Sequence, residues 1–325
     1  MDQKPTIISM SEQTLLIGGA GFLGTAVAEI LSREGRRFTV VSRSKVCPPD
    51  LAKLMGGSKG FGNYVYGDSR DAKLVDQLVA AHAEVVYLAH SQMKGVTSTD
   101  PLMELSDNLA AAVPVFMAAA RHNAKVCLIS SGGTIYGQAF SVPIPVDHCL
   151  APISSYGLTK LAVENCALYF GRSFGLKYVI LRPGNAYGPG QIPFRGQGFV
   201  ATALSTILKG GVVRVFGRPG TIRDDIFVDD VARAIVFALE KGENSATYNV
   251  GSGHGLSNDD VLDHMEKILA RDGLSVRREY APIRPEDVAC NVLDVSEFQR
   301  VTGWSPEVGI ENGLERTYDW LKVSS

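Results

Sequence analysis

The chain has 325 residues, 45% hydrophobic and 20% charged, with a formal net charge of −2. That length suits one large domain or two modest ones, and the near-neutral balance gives no broad attraction to nucleic acid or anionic membrane. No apolar run approaches the roughly 18 residues of a membrane span, and residues 1–14 lack the charged-then-apolar order of a signal peptide. The five cysteines, Cys47, Cys127, Cys149, Cys166 and Cys290, are scattered without a Cys-x-x-Cys pair, and the six histidines form no cluster. The expectation is a cytoplasmic protein with free thiols and no metal.

In chain order, residues 14–17 predict a short strand, followed by Gly18-Gly19-Ala20-Gly21-Phe22-Leu23-Gly24 and a helix over 25–33. Strands over 38–41 and 64–66, a helix over 72–81 and a strand over 85–89 come next. A long alanine-rich helix over 103–122 leads into a strand over 125–130, and a helix over 156–174 into a strand over 177–182. Such alternation predicts an α/β fold, a Rossmann-type doubly wound parallel sheet. After Pro183 the chain becomes loop-rich, with a helix over 199–209, a strand over 212–216, a helix over 229–240 and a strand over 248–250. The expected organisation is a dinucleotide-binding domain over 12–183 and a smaller, mixed α/β substrate domain over 184–325. Segments about 226–250 are expected to return to the first domain.

Glycine at 18, 21 and 24 permits a tight turn and close backbone approach, and a helix N-terminus stabilises a pyrophosphate. An acidic residue where the strand over 38–41 ends would take both hydroxyls of an NAD ribose. Ser42-Arg43 stands there instead, and a guanidinium pairs with a 2′-phosphate, so the cofactor is NADP or NAD with a lean to NADP. Asp68, beside Ser69, ends another strand and suits the adenine amino group; Asp71 suits a helix cap. Tyr156 and Lys160 are four residues apart, so a helix places them on one face, and a neighbouring cation favours the phenolate. Ser130-Ser131-Gly132-Gly133-Thr134 puts hydroxyls at the carboxyl end of a buried strand, where ligands bind in such sheets.

The glycine loop, Gly67-Asp68, Leu88-Ala89, Asn108, Ser130 to Gly137, Tyr156/Lys160 and Leu181 to Asn185 occur in order. Together they resemble the extended short-chain dehydrogenase/reductase family of nucleotide-sugar epimerases and dehydratases, most closely its UDP-glucose 4-epimerase-like branch. The likeness runs from about Leu15 to Trp304. It implies that Tyr156 removes a proton from a sugar hydroxyl while C4 passes hydride to the nicotinamide, which Lys160 helps to bind. Phe22, Leu23, Leu88, Ala89 and Asn108 are implied on the cofactor side. Asn185, Phe216, Arg223, Arg284 and Asp287 are implied on the substrate side, for a UDP-sugar. A homodimer through the helices over 103–122 and 156–174 is also implied.

The chain departs from the family pattern at Gly132, where a serine or threonine is usual. Thr134 is the first choice to supply that hydroxyl and Ser131 the second. Gly133-Thr134 also replaces the acid pair of the 4,6-dehydratases, which disfavours dehydration. Three readings follow: an NAD(P)-dependent 4-epimerase, an NADPH-dependent reductase of a nucleotide 4-keto-sugar, and a non-catalytic dinucleotide-binding sensor.

Overall fold

Burial alternates along the first strands: Leu15 and Ile17 pack to one side of the sheet and Leu16 to the other. That pattern requires helices on both faces. The computed structural model describes residues 13–55, 60–91, 100–194, 198–284 and 287–324. The expectation of no signal peptide falls on residues 1–12, outside the described residues, as does residue 12, the expected start of the first domain.

The first half runs β1 (Gln13–Ile17), α1 (Phe22–Arg33), β2 (Arg37–Ser42), α2 (Pro49–Met55), β3 (Gly62–Tyr66) and α3 (Ala72–Ala80). It continues through β4 (Glu84–Tyr87), α4 (Pro101–His122), β5 (Lys125–Ile129), α5 (Ser155–Phe174) and β6 (Lys177–Pro183). Then come β7 (Asn185–Tyr187), α6 (Phe199–Leu208), β8 (Val213–Phe216), β9 (Ile222–Phe227), α7 (Val228–Lys241) and β10 (Ala246–Val250). The chain closes with β11 (Gly255–Ser257), α8 (Asn258–Leu269), β12 (Arg278–Ala281), β13 (Cys290–Asn291), α9 (Ser296–Thr302) and α10 (Ile310–Ser324).

Seven strands form one sheet in the order β10-β6-β5-β4-β1-β2-β3, and every pairing in it is parallel. The strand order reverses between β1 and β4, which opens a crevice at their carboxyl ends. Helices α1 and α7 cover one face, and α3, α4 and α5 the other. Strand β10 returns from the second half to pair with β6. The rest of that half builds a small sheet in which β9 pairs with β7, β11 and β13, and a two-stranded sheet of β8 and β12. Helix α4 is long and apolar enough to cross a membrane by length and composition, more than its sequence suggested. Its apolar face, with Ala112, Val115, Phe116 and Ala119, is spent on the sheet.

Two differences from the expected elements bear on the site. Helix α1 begins at Phe22, three residues early, because Gly21 already serves as its N-cap. Strand β4 stops at Tyr87, and Leu88 to Ser91 leave the sheet to wall the crevice. Asp71 caps α3 as expected, accepting from the Lys73 and Leu74 amides at 3.1 Å each.

A buried polar chain ties the elements together. Arg182 on β6 makes a two-pronged ion pair with Glu164 on α5, at 3.1 and 2.7 Å. Its guanidinium also donates to the Tyr136 hydroxyl at 3.0 Å and to the Val146 carbonyl at 2.9 Å. Tyr136 in turn donates to Asn249 on β10 at 2.7 Å. Removing one member strands a charge away from water, so Glu164→Gln is expected to cost about 3–5 kcal/mol. Denaturant unfolding checks this; a change under about 1 kcal/mol would mean that the pair holds little.

Candidate active site

A cavity of about 720 Å³ occupies the crevice, lined by Gly18 and Gly21 after β1, Ser42 and Arg43 after β2, and Asp68, Ser69 and Arg70 after β3. Leu88, Ala89, His90, Ser91 and Asn108 also line it. Gly18 has φ +78°, and a Cβ there would lie 2.7 Å from the Ala89 Cα, so only glycine fits. The α1 N-terminus carries no side-chain cap, which leaves its amides to an anion. These features fit a dinucleotide. Phe22, Leu23 and Gly24 form the first turn of α1; Phe22 and Leu23 pack against the core behind it.

At the ribose end, the Ser42 hydroxyl accepts from the Ser44 amide at 3.2 Å. Arg43 is exposed. Asp68 is gripped by Arg70 through contacts of 3.1 and 2.7 Å, and this bonding holds its carboxyl below the usual range. Asn108 accepts from the Ser91 amide at 2.8 Å and donates to the Ser91 carbonyl at 2.9 Å. It thereby fixes the loop after β4 to α4.

Tyr156 lies in the first turn of α5 and Lys160 one turn on. Their separation sets the ammonium 5.7 Å from the phenol ring centre, while its Nζ donates to the Ile129 carbonyl at 2.9 Å. Burial pushes the phenol up to about 12; a hydrogen bond with Ser131 opposes the shift, and the charge of Glu104 adds to it. Burial also brings Lys160 down to about 8, opposed by Glu164. The expected lowering of the phenol by Lys160 is therefore not what the structure shows: burial raises the phenol, and the contact that opposes it is with Ser131.

The hydroxyl bonded to Tyr156 is that of Ser131, not the first choice, Thr134, whose Oγ1 is buried without a partner among the described residues. The reason is how the loop is pinned. Gly132 donates to the Pro183 carbonyl at 2.8 Å, and its own carbonyl accepts from Asn291 at 3.0 Å. A Cβ on Gly132 would meet Leu293 at 2.6 Å and the Arg182 carbonyl at 2.8 Å, so the usual hydroxyl has no room here.

On the substrate side, Arg284 pairs with Asp287 at 3.0 Å and lies over the Phe216 ring at 4.1 Å. Arg223 on β9 makes no ion pair among the described residues. Burial lowers its pKa, which leaves a cation short of solvation. Asp224, on the other face of β9, is a structural hub that accepts from Ser252, Gly253 and Leu293. The sequence reading passed over Asp225, which shares the Arg223 face and stands in register with Asn185 on β7. Burial, then the charge of Asp224, pushes Asp225 up to about 7. Strand β9 escaped notice because Arg223-Asp224-Asp225 breaks any apolar alternation; its charged face was the available signal.

The model of the NAD dependent epimerase/dehydratase family matches residues 14–251. The UDP-arabinose 4-epimerase 1 of Arabidopsis thaliana is 27% identical over 98% of this chain and 82% of its own length. The UDP-glucose 4-epimerase of Thermotoga maritima, solved with UDP-glucose, is 29% identical with a TM-score of 0.85, covering 96% of this chain and 99% of that one. The UDP-glucose 4-epimerase of Thermus thermophilus, solved with NAD, is 29% identical with a TM-score of 0.84, covering 96% and 100%.

Two outcomes follow from this geometry. Gly132→Ser is expected to cost about 1–3 kcal/mol by overpacking and to bring no gain in turnover; a variant of unchanged stability would show that the loop yields. Asp225 holds its proton in the folded chain to about pH 7 but loses it near 4 when unfolded, so its cost grows between those values. Asp225→Asn should therefore stabilise the ligand-free protein by on the order of 2 kcal/mol at pH 8, with the gain shrinking toward pH 4. Unfolding curves at pH 5.5 and 8 check this, and an equal difference at both would contradict it.

Proposed function

Because the chain belongs to the NAD dependent epimerase/dehydratase family, we propose that its site inverts C4 of a nucleotide sugar. The protein is a nucleotide-sugar 4-epimerase of the extended short-chain dehydrogenase/reductase type, with NAD as cofactor. One observation carries this reading: Tyr156, bonded by Ser131 and one turn from Lys160, packs against His90, which lines the dinucleotide crevice. Relatives matched along nearly the whole chain include 4-epimerases of UDP-sugars, which supports a UDP-sugar as the substrate.

Gly18, Gly21 and the α1 amides would hold the pyrophosphate of the cofactor, and Lys160 its nicotinamide ribose. When bound, that group supplies the carbon that takes up a hydride and gives it back. Tyr156 accepts the proton of the C4 hydroxyl through its ionised oxygen and later returns it, with the Ser131 hydroxyl holding both oxygens in line. Arg223, Arg284 and Asn185 hold the sugar diphosphate. Gly133 and Thr134 offer no acid that could expel a C6 hydroxyl, so the chemistry ends at epimerisation.

A dimer through α4 and α5 is part of this proposal; Met117, Leu158 and Tyr169 leave exposed apolar surface on that pair. A second reading, net reduction with NADPH, draws on Ser42 and on the exposed Arg43, which has no ion pair among the described residues.

Tyr156→Phe should leave cofactor binding intact and lower UDP-glucose to UDP-galactose conversion by about 10²–10⁴-fold. Near-normal turnover would remove Tyr156 from the mechanism. Arg43→Ala should weaken NADP binding by roughly tenfold and leave NAD binding unchanged in calorimetric titration; equal effects on both cofactors would dismiss the 2′-phosphate role.

A further inference from the structure

The loop after β4 carries an imidazole that the mechanism so far does not use. His90 packs edge-on against the Tyr156 ring, with centroids 4.7 Å apart and planes at 79°. Its Nε2 stands 3.4 Å from Oε1 of Glu104, a carboxylate whose side chain is only 1% exposed on α4. Neither atom has a hydrogen bond of good geometry among the described residues. The other carboxylate oxygen accepts from the Ser155 hydroxyl at 3.1 Å, next to Tyr156 in the chain. The Asn108 bonds to Ser91 fix this loop on the helix that bears Glu104.

We propose that Glu104 and His90 form a dyad that positions Tyr156 and, through the charge of the buried carboxylate, sets the pH at which the phenol gives up its proton. The dyad rests on the reading of Tyr156 as the proton carrier. Four groups face the phenol: Glu104 from α4, His90 from the loop after β4, Ser131 from the loop after β5, and Lys160 from its own helix. A carboxylate shut away from water opposes a phenolate beside it. Burial, and then the charge of Lys160, bring His90 down to about 3, so the imidazole is neutral and donates from one nitrogen only. The carboxylate favours the proton on Nε2 and leaves Nδ1 as an acceptor. An epimerase returns the same proton to its substrate, so a phenol of moderate rather than minimal basicity suits the reversible step. Glu104 and His90 supply that adjustment from outside the Tyr-Lys-Ser set.

The test is nuclear magnetic resonance of the ligand-free protein carrying ¹³C-labelled tyrosine rings, with the Tyr156 signal identified by its loss in Tyr156→Phe. At about pH 11, one unit below the Tyr156 value of about 12, Glu104→Gln should raise the ionised fraction of Tyr156 at least ~2-fold, the effect of removing one charge at close range. His90→Ala, which admits water to the ring, should move it the same way. In both variants the acid limb of the kcat/KM profile should shift to lower pH. An unchanged Tyr156 titration in the folded variants, or a uniform loss of kcat with an unmoved limb, would overturn the dyad. If Glu104→Gln does not fold, an unchanged titration in His90→Ala alone overturns it. The resonance measurement needs no substrate, so a mistaken sugar would leave its outcome standing.

Discussion

The pair between Arg182 and Glu164 is the constraint on which the site hangs. Helix α5 carries Tyr156 and Lys160 in its first turns and Glu164 one turn further on, so fixing Glu164 to β6 fixes the rotation of the phenol and the ammonium. The same guanidinium reaches Tyr136, which ends the hydroxyl-bearing loop, and Tyr136 reaches Asn249 on the strand returning from the second half. One buried cation thus sets the helix, the loop and the returning strand relative to each other. Apolar residues could fill that volume at no greater cost, but they would not specify direction as a two-pronged ion pair does.

Around this frame, burial governs the electrostatics of the site. Tyr156 and Asp225 are pushed up, while Lys160, His90 and Arg223 are pushed down. All five shifts favour the neutral form, as expected where burial outweighs partners. A diphosphate would meet Arg223 as a cation that lacks a counter-charge, and a positively charged nicotinamide would favour the phenolate. The arrangement is tuned for charges that its ligands bring, so the chain alone shows the cost and the complex would show the use.

The framework was legible because its signals are local. The glycine loop, the helix turn joining Tyr156 to Lys160 and the alternation of strands depend on neighbours in sequence; the structure sets Tyr156 against His90, which lines the β1/β4 crevice. What could not be read depends on contacts across long stretches of chain. The sequence ranked Thr134 ahead of Ser131; Asn291 and Leu293, far along the chain, pack against Gly132 between them. His90 and Glu104 meet only because a loop and a helix pack together. Strand β9 hid behind its charges, and with it Asp225. Helix α8 had a readable start, the Ser257 and Asp260 capping box, yet its polar composition masked the period.

The most direct measurement follows the hydrogen at C4. UDP-glucose bearing deuterium at C4 is incubated with the purified protein, without added cofactor, and the products are analysed by mass spectrometry. Conversion to UDP-galactose with the deuterium retained at C4 is the expected result, since the hydride leaves and returns within one site. Loss of the label to solvent, or turnover only after a reduced cofactor and a 4-keto sugar are supplied, would contradict epimerisation.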